Sequence, residues 1–299
     1  MRLLTSLGLL AFTLLLTAPV QAQTTFRWKF AQDQAFDVLC TQQTEVETSV
    51  NNKPRRAYLE MTMQLAWQVG EVDEAGVATI AQTIKRLQLK TTAPDADPIV
   101  YDSDSLAKPS GATRQIAAGL APLVGTTFTV KMDARGNVTA VTLTEEAQKS
   151  LAALPDDSQL KQVLTVEGIT NLFRTGDGQL PEQAVSPGDT WPLERETTTP
   201  LGTLREAGTF TYVGQENSAG QKVEKIELAS TAKLEAKSDA AVRLRVQEQT
   251  KSGVLLFDAA AGRAISSETK LLSKSVRPFR DRQIHVTING TTKLTFTAK

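Results

Sequence analysis

The sequence predicts a mainly β protein of the α+β class: two antiparallel meanders of long strands, curled into a half-barrel or roll, with a short helical segment between them. Apolar side chains alternate with polar ones over most of the chain, which is the period of a half-buried strand. Turn-forming residues separate these runs, and apolar residues at helical spacing are concentrated in the middle of the chain. Long strands favour curvature because twist accumulates along them.

The N-terminus has the pattern of an export signal. Arg2 precedes an apolar run over residues 3–16, and a small-residue pattern follows that ends at Ala22. The run is too short to span a bilayer, which needs about 20 apolar residues. Residues 1–22 are therefore expected to be a cleavable signal peptide, with an uncleaved anchor as the alternative. The mature chain would be periplasmic or extracellular, with no integral membrane segment after cleavage.

The first meander is expected over residues 23–112. It starts with a short aromatic strand whose side chains are Phe26, Trp28 and Phe30. Two long strands follow and form a hairpin at the turn 51–54, and a strand over 77–89 comes after the turn 73–76. The clearest alternation lies in the second long strand, where the apolar residues are Leu59, Met61, Met63, Leu65, Trp67 and Val69.

Cys40 is the only cysteine in the chain, so no disulfide can form within it. It keeps the same alternation as Phe36 and Val38. A reactive thiol needs an activating neighbour, and the surrounding sequence offers none. We therefore expect Cys40 to be a small buried side chain of the first meander.

A mixed helical and hairpin insert is expected over residues 113–180. The first helix has its apolar residues at Ile116, Leu120, Leu123 and Val124. A second helix begins after Thr144, whose hydroxyl can cap its N-terminus, and ends at Pro155. A hairpin with the turn 133–136 lies between them, and a further helical segment is expected from Ser158 to Phe173. The insert can cover an open face of the sheet.

The second meander is expected over residues 181–299, although residues 23–299 can also form one continuous domain. Its strands carry alternating apolar residues at Phe210 and Tyr212, Ile226 and Leu228, and Val242, Leu244, Val246, Val254 and Leu256. Turn residues lie at 217–220 and 258–262.

The last part of the chain contains Asn289-Gly290, which is a strong hairpin signal. The apolar alternation nevertheless continues through it, and a two-residue turn would send Leu294 and Phe296 to the opposite face of the sheet. One continuous closing strand with a bend or bulge at Gly290 is therefore the preferred interpretation. A three-residue loop that pairs residues 288 and 292 is the alternative.

Charge and composition argue against several function classes. The chain has 33 basic and 33 acidic residues without a basic stripe, which disfavours nucleic-acid binding and electrostatic membrane docking. His285 is the only histidine and has the polar parity of the last strand, so a catalytic triad is not expected. One histidine and one cysteine are too few for an ordinary zinc site. No catalytic residue, metal or cofactor is predicted, and the protein is not expected to be an enzyme.

One acidic loop contains four carboxylates at spacings that can serve a metal or catalytic site: Asp95, Asp97, Asp102 and Asp104. The pattern of a calcium-binding EF-hand fails at Ile99 and Leu106. Paired carboxylates can also serve a glycosidase, but no cluster of aromatic residues for sugar stacking accompanies them. A solvated loop between strands is the default interpretation.

Four features resemble a family of exported bacterial β-rich proteins of unknown function. They are the stretch Val185-Ser186-Pro187-Gly188-Asp189-Thr190-Trp191, the long Thr-rich strands, the Lys-Met-Asp-x-Arg-Gly-Asn core within 128–137, and the turn from Phe257 to Arg263. In this resemblance, Gly188 and Asp189 would form a tight turn that delivers Trp191 into the core. More distantly, the architecture resembles half-barrel carriers of lipids or lipoproteins in the bacterial envelope. The resemblance implies a location and a fold style, but no catalytic residue.

Two functions of different classes are expected. The first is a binding or carrier module, in which Met61, Met63, Leu65 and Trp67 line a concave face that holds an apolar small molecule or lipid. The second is a structural or protein-interaction module of the envelope, in which the same face is a filled core. A cavity of about 300 Å³ or more would favour the first.

Overall fold

The computed structural model describes residues 23–152, 179–199, 202–218, 220–237, 245–279 and 282–299. Four predictions lie outside these residues: the signal peptide, the end of the second helix at Pro155, the helical segment from Ser158 to Phe173, and the strand positions Val242 and Leu244. Within the described part of the chain, no helix is long and apolar enough to cross a bilayer.

The described residues form twelve strands and two α-helices. The strands are β1 (Ala35–Val50), β2 (Lys53–Val72), β3 (Ala78–Thr92), β4 (Ile99–Asp102), β5 (Thr127–Met132), β6 (Val138–Leu143), β7 (Thr190–Thr199), β8 (Gly202–Ser218), β9 (Gln221–Ala236), β10 (Arg245–Asp258), β11 (Arg263–Phe279) and β12 (Arg282–Ala298). The helices are α1 (Gly111–Leu120), which continues into one 3₁₀ turn, and α2 (Glu145–Ala152).

These strands make one antiparallel sheet. Its order is β6-β5-β3-β2-β1-β12-β11-β10-β9-β8-β7, and the short β4 also pairs with β3. Each meander keeps its strands largely in sequence order, and the pairing of β1 with β12 joins the two in the centre. Within the described residues the sheet is open, with β6 and β7 at its edges. The predicted class, mainly β with two long-stranded meanders and few helices, is confirmed.

The closing strand is continuous, as predicted. β12 pairs with β1 on one side and β11 on the other, and both registers pass through Gly290 without a shift. The predicted bulge at Gly290 is therefore wrong, because a bulge would place two residues opposite one. A bend at Gly290 without a change of register stays a prediction. Leu294 and Phe296 pack against the core, as their parity requires.

The predicted inward positions of β10 need one correction. Leu255 and Phe257 are buried, whereas Val254 and Leu256 have the opposite parity and are less buried. The cause is an irregularity between Val246 and Glu248, where the pairing of β10 with β11 shifts. An extra residue at such a point moves all the following side chains to the other face.

The middle of the chain follows the prediction where it is described. The Thr144 hydroxyl accepts a hydrogen bond from the Ala147 backbone N–H at 3.2 Å, and so caps α2. β5 and β6 form the expected hairpin. Ile116 and Leu120 of α1 pack against the N-terminal core, so this helix covers one end of the sheet.

We define the inner face of the sheet as the face that carries Phe36, Val38 and Cys40, all three of which are buried. The burial predicted for Cys40 is thereby confirmed. Two apolar clusters lie on this face, one on the strands β1, β2, β3 and β5 and the other on β7 to β11. Trp28 and Phe296 pack against both clusters and connect them.

The aromatic segment 26–30 is not a strand, which corrects the prediction. It crosses the inner face, where the Phe26 ring meets Tyr212 of β8 and Phe257 of β10 edge-on. Trp28 in turn contacts Phe257 and Phe296. The alternation of its aromatic residues reflects packing between two parts of a curved sheet. The segment forms no strand ladder: the Trp28 and Lys29 backbone N–H groups donate singly to the Ala134 and Gly262 carbonyls, both at 2.8 Å.

The chain segments next to the two edge strands meet at one end of the sheet, although β6 and β7 do not pair. The Leu180 backbone N–H, ahead of β7, donates to the Arg135 carbonyl in the β5–β6 turn at 2.9 Å. The Arg135 Nε donates in return to the Leu180 carbonyl at 2.9 Å, and its Nη1 donates to Glu182 at 2.8 Å. The sheet is therefore curled, and we call this end, with the segment 26–30 inside it, the closed end.

Candidate ligand-binding cleft

Away from the closed end, the inner face carries a cleft of about 530 Å³. It crosses the five central strands, and three consecutive residues of each contribute to its lining: 43–45 of β1, 58–60 of β2, 250–252 of β10, 270–272 of β11 and 289–291 of β12. The middle residues of the five triplets pair directly with one another from strand to strand. They form a single row across the sheet, and this row is the floor of the cleft.

The floor residues are Leu59, Thr44, Gly290, Leu271 and Lys251, in that order across the sheet. They have the parity of the buried core residues: Thr44 lies four positions along β1 from Cys40. All five are partly buried, whereas most of the flanking side chains on the other face are exposed. The cleft therefore opens on the inner face, and its floor combines two leucines with a threonine, a glycine and one lysine.

Gly290 makes the cleft deep at its centre. A Cβ at this position would lie 3.8 Å from the Leu271 Cβ and 3.9 Å from the Thr44 Oγ1, which are ordinary contact distances. Its backbone is not in the left-handed region. A side chain therefore fits here without strain, and its absence leaves space above the strand. A glycine inside a strand often marks a site that a ligand approaches closely.

A charged wall bounds the cleft on the β10 side, and we define it as Arg195, Glu206, Ser230 and Lys251. The Lys251 Nζ lies 2.7 Å from the Glu206 Oε1, to which the Ser230 hydroxyl also donates at 2.6 Å. The Arg195 Nη1 lies 3.5 Å from the other carboxylate oxygen of Glu206. Glu206 and Ser230 are buried, so an ionic network sits within the inner face of the sheet.

The four residues predicted to bind a ligand lie between the cleft and the closed end. Leu65 is buried in the N-terminal cluster, and Met63 and Trp67 pack against it. Met61 is partly buried and follows Leu59 on the same face. None of the four lines the cleft. Their predicted role in binding remains a prediction, and the packing gives three of them a place in the core.

Two buried polar atoms on paired residues have no hydrogen-bond partner among the described residues. They are the indole Nε1 of Trp67 and the side-chain Oε1 of Gln82. The two residues face each other across β2 and β3. Gln82 is almost fully buried among apolar neighbours of the N-terminal cluster.

His285 and the acidic loop lie outside the cleft. His285 is exposed on β12, on the polar side of the strand as predicted. In the acidic loop, Arg86 contacts both oxygens of Asp102, at 3.0 and 2.6 Å, and its guanidinium holds the pKa of that carboxyl well below its usual range. No cluster of three potential metal ligands occurs among the described residues.

The turn ahead of β7 is built as predicted. Gly188 has a φ of 95°, which favours glycine, and its N–H donates to the Tyr212 carbonyl at 2.7 Å. The Asp189 carboxylate accepts from the Ser186 N–H at 2.8 Å. Trp191 is buried two residues later and stacks on Phe210. The turn therefore fixes the start of the edge strand and delivers the indole into the core.

Residues 75–251 match the DUF6263 family, described as a family of unknown function. This chain belongs to the DUF6263 family. The matched span of this DUF6263 protein runs from the turn before β3 to Lys251 and contains all four residues of the charged wall. The comparison with curated proteins finds no match.

Three solved structures resemble this DUF6263 protein weakly. Lipovitellin, in a structure titled for its lipid–protein interactions, is 12% identical with a TM-score of 0.49; the match covers 90% of this chain but only 25% of lipovitellin. DynF of the dynemicin pathway of Micromonospora chersina is 8% identical, with a TM-score of 0.20 and 92% of each chain covered. An outer membrane channel of Pseudomonas putida F1 is 7% identical, with a TM-score of 0.20, covering 90% of this chain and 97% of its own. Scores this low support no functional conclusion.

Proposed function

We propose that the mature protein is an exported, non-catalytic carrier module that binds an apolar or lipid-like molecule in the cleft. The observation that carries this proposal is the cleft itself: about 530 Å³ on the inner face of a curled sheet. Ligand sites have volumes of about 300–1,000 Å³. A cleft of this size favours the carrier hypothesis over the structural one, in which the inner face would be filled along its whole length.

The shape of the sheet supports the proposal. At the closed end, Phe26 and its aromatic neighbours fill the space between the two halves of the sheet. The cleft lies where this filling stops, and its floor leaves Leu59 and Leu271 only partly buried. An apolar ligand above this row would remove their remaining surface from water, which is favourable by about 25 cal/mol for each Å² of apolar area.

Gly290 gives a direct test of the binding site. Gly290→Phe should fill the middle of the cleft and abolish saturable binding of the neutral fluorophore Nile Red. Because a Cβ fits at this position, the free energy of unfolding should stay within about 1 kcal/mol of the wild-type value. The matched control is Thr297→Phe, which places the same ring on the exposed face of the same strand. Unchanged Nile Red binding by Gly290→Phe would contradict the proposed site.

Export is the second part of the proposal, and it is supported by the basic, apolar and small-residue pattern of residues 1–22. Intact-mass measurement of the protein purified from its host should give a chain that begins at Gln23. A product that retains Arg2 would contradict export with cleavage, independently of any result on the cleft.

A further inference from the structure

We propose that the ligand is an anionic amphiphile, with its acidic head group against Lys251 and its apolar chain over the leucines of the floor. This inference rests on the proposed function and specifies the chemical class of the ligand. It comes from the place of the charged wall, which borders an apolar floor instead of facing bulk water.

Lys251 connects the charged wall to the cleft. Of its four members, only Lys251 belongs to the cleft lining. Glu206 lies behind it and is occupied by the Ser230 hydroxyl and the Lys251 ammonium, at 2.6 and 2.7 Å. The carboxylate thereby holds the ammonium in place at the wall. Lys251 is therefore the member of the charged wall that a ligand in the cleft would contact.

The burial of this network also calls for an explanation. Taking charged groups out of water is costly, and apolar residues of similar volume are often equally stable or more stable at such positions. Glu206 and Ser230 are nevertheless buried on the inner face, in direct continuation of the cleft floor. Ionisable groups placed together in a cleft are candidates for a functional site. Packing alone does not explain why these charged residues are buried here, whereas recognition of a ligand head group would.

The place of Lys251 in the floor row orients the ligand. Lys251 lies at one end of this row and Leu59 at the other, whereas Glu45, Glu60 and Lys270 at the margins of the cleft have the parity of the opposite face. With its head group on Lys251, the ligand would have its chain along the floor from Leu271 towards Leu59, with Met61 next on the same face.

The test compares three probes that have the same alkyl chain: dodecanoic acid, dodecyl phosphate and dodecanol. Each is titrated against the full mature protein by displacement of Nile Red. An ionised head group on a lysine should strengthen binding roughly tenfold or more relative to the alcohol. The carboxylate and phosphate probes distinguish a fatty-acid type of ligand from a phosphorylated one.

Two variants locate the effect. Lys251→Met keeps the alkyl stem and should remove the preference for the acidic probes over dodecanol. The single variant Lys251→Met leaves Glu206 buried beside one cation fewer. The double variant Lys251→Met/Glu206→Gln removes that charge as well and should show the same loss of preference. Lys251→Arg keeps the charge and should retain the preference.

The outcomes separate this inference from the proposed function. Equal affinities of the wild-type protein for the acid, the phosphate and the alcohol would overturn the anionic head group and leave an apolar carrier. A preference that survives in both methionine variants would overturn the role of Lys251. Failure of all three probes to displace the dye, or failure of the dye to bind, would instead contradict the proposed function itself.

Discussion

At the residue scale, single side chains of this protein are controlled by which face of the sheet they occupy. Cys40 and Leu39 are neighbours on β1, yet Cys40 is buried and Leu39 is 40% exposed. Burial raises the pKa of the Cys40 thiol, because the thiolate is disfavoured away from water. Cys40 should therefore react slowly with a thiol reagent at mildly alkaline pH and rapidly after denaturation. Fast reaction of the native protein would show that the register of β1 is wrong.

Asp102 gives a pH prediction at the same scale. Its pKa is lowered by the Arg86 guanidinium, by the Asp104 backbone N–H and by Gln88. A carboxyl whose pKa is lower in the folded state stabilises the protein above its unfolded pKa, near 4, and this stabilisation is lost as the pH falls further. Urea unfolding should therefore show that Asp102→Asn is less stable than the wild type at about pH 7 and that the difference shrinks in acid. A difference that is constant with pH would contradict the ion pair.

At the element scale, the alternation of apolar and polar residues predicted most strands. The errors arose where a strand pairs irregularly or where contacts with distant strands decide the structure. β12 was predictable because the apolar alternation on both sides of Gly290 allows only one register for a continuous strand. The parity of Val254 and Leu256 was not predictable, because the irregularity after Val246 has no signal in the local residue types. The segment 26–30 alternates like a strand but is held by ring contacts and by two single backbone hydrogen bonds, all of which depend on distant parts of the chain.

The closing strand itself allows a stability test. Leu294 packs against the N-terminal cluster, whereas Thr295 belongs to the opposite face and pairs with Leu39. Leu294→Lys should lower the free energy of unfolding by several kcal/mol, because it places a charge in the core. Thr295→Lys should change the same quantity by only about 0.5 kcal/mol. Urea denaturation of both variants measures these values, and equal tolerance at the two positions would refute the register.

At the scale of the whole molecule, one end of the curled sheet is closed and the other carries the cleft. Phe26 is fully buried where the two halves of the sheet meet, so Phe26→Ala should cost about 3–5 kcal/mol of stability by thermal or urea unfolding. Arg27→Met is a neighbouring control, because the Arg27 side chain instead reaches the Pro181 and Glu182 carbonyls. A small effect of Phe26→Ala would show that this segment does not hold the sheet together.

The candidate site was predictable only in part. The sequence indicates a curved sheet with a Met-bearing apolar face, and that face is the inner face. The sequence does not indicate how far along the inner face side chains fill the space. This depends on where segment 26–30 ends on that face and on which strands lie opposite each other. Gly290 was the available signal, since a glycine in a strand marks either a bulge or a close approach. The charged wall joins Arg195, Glu206 and Lys251 across a long stretch of sequence, and no local pattern links them.

The most direct test of the carrier function is to purify the wild-type protein and Gly290→Phe natively from the host and to analyse their organic extracts by mass spectrometry. The wild-type protein should release an acidic amphiphile in about stoichiometric amount. Gly290→Phe should release little or none while it unfolds like the wild type. An extract without bound lipid from the wild-type protein, or equal amounts from both proteins, would contradict a ligand in the cleft.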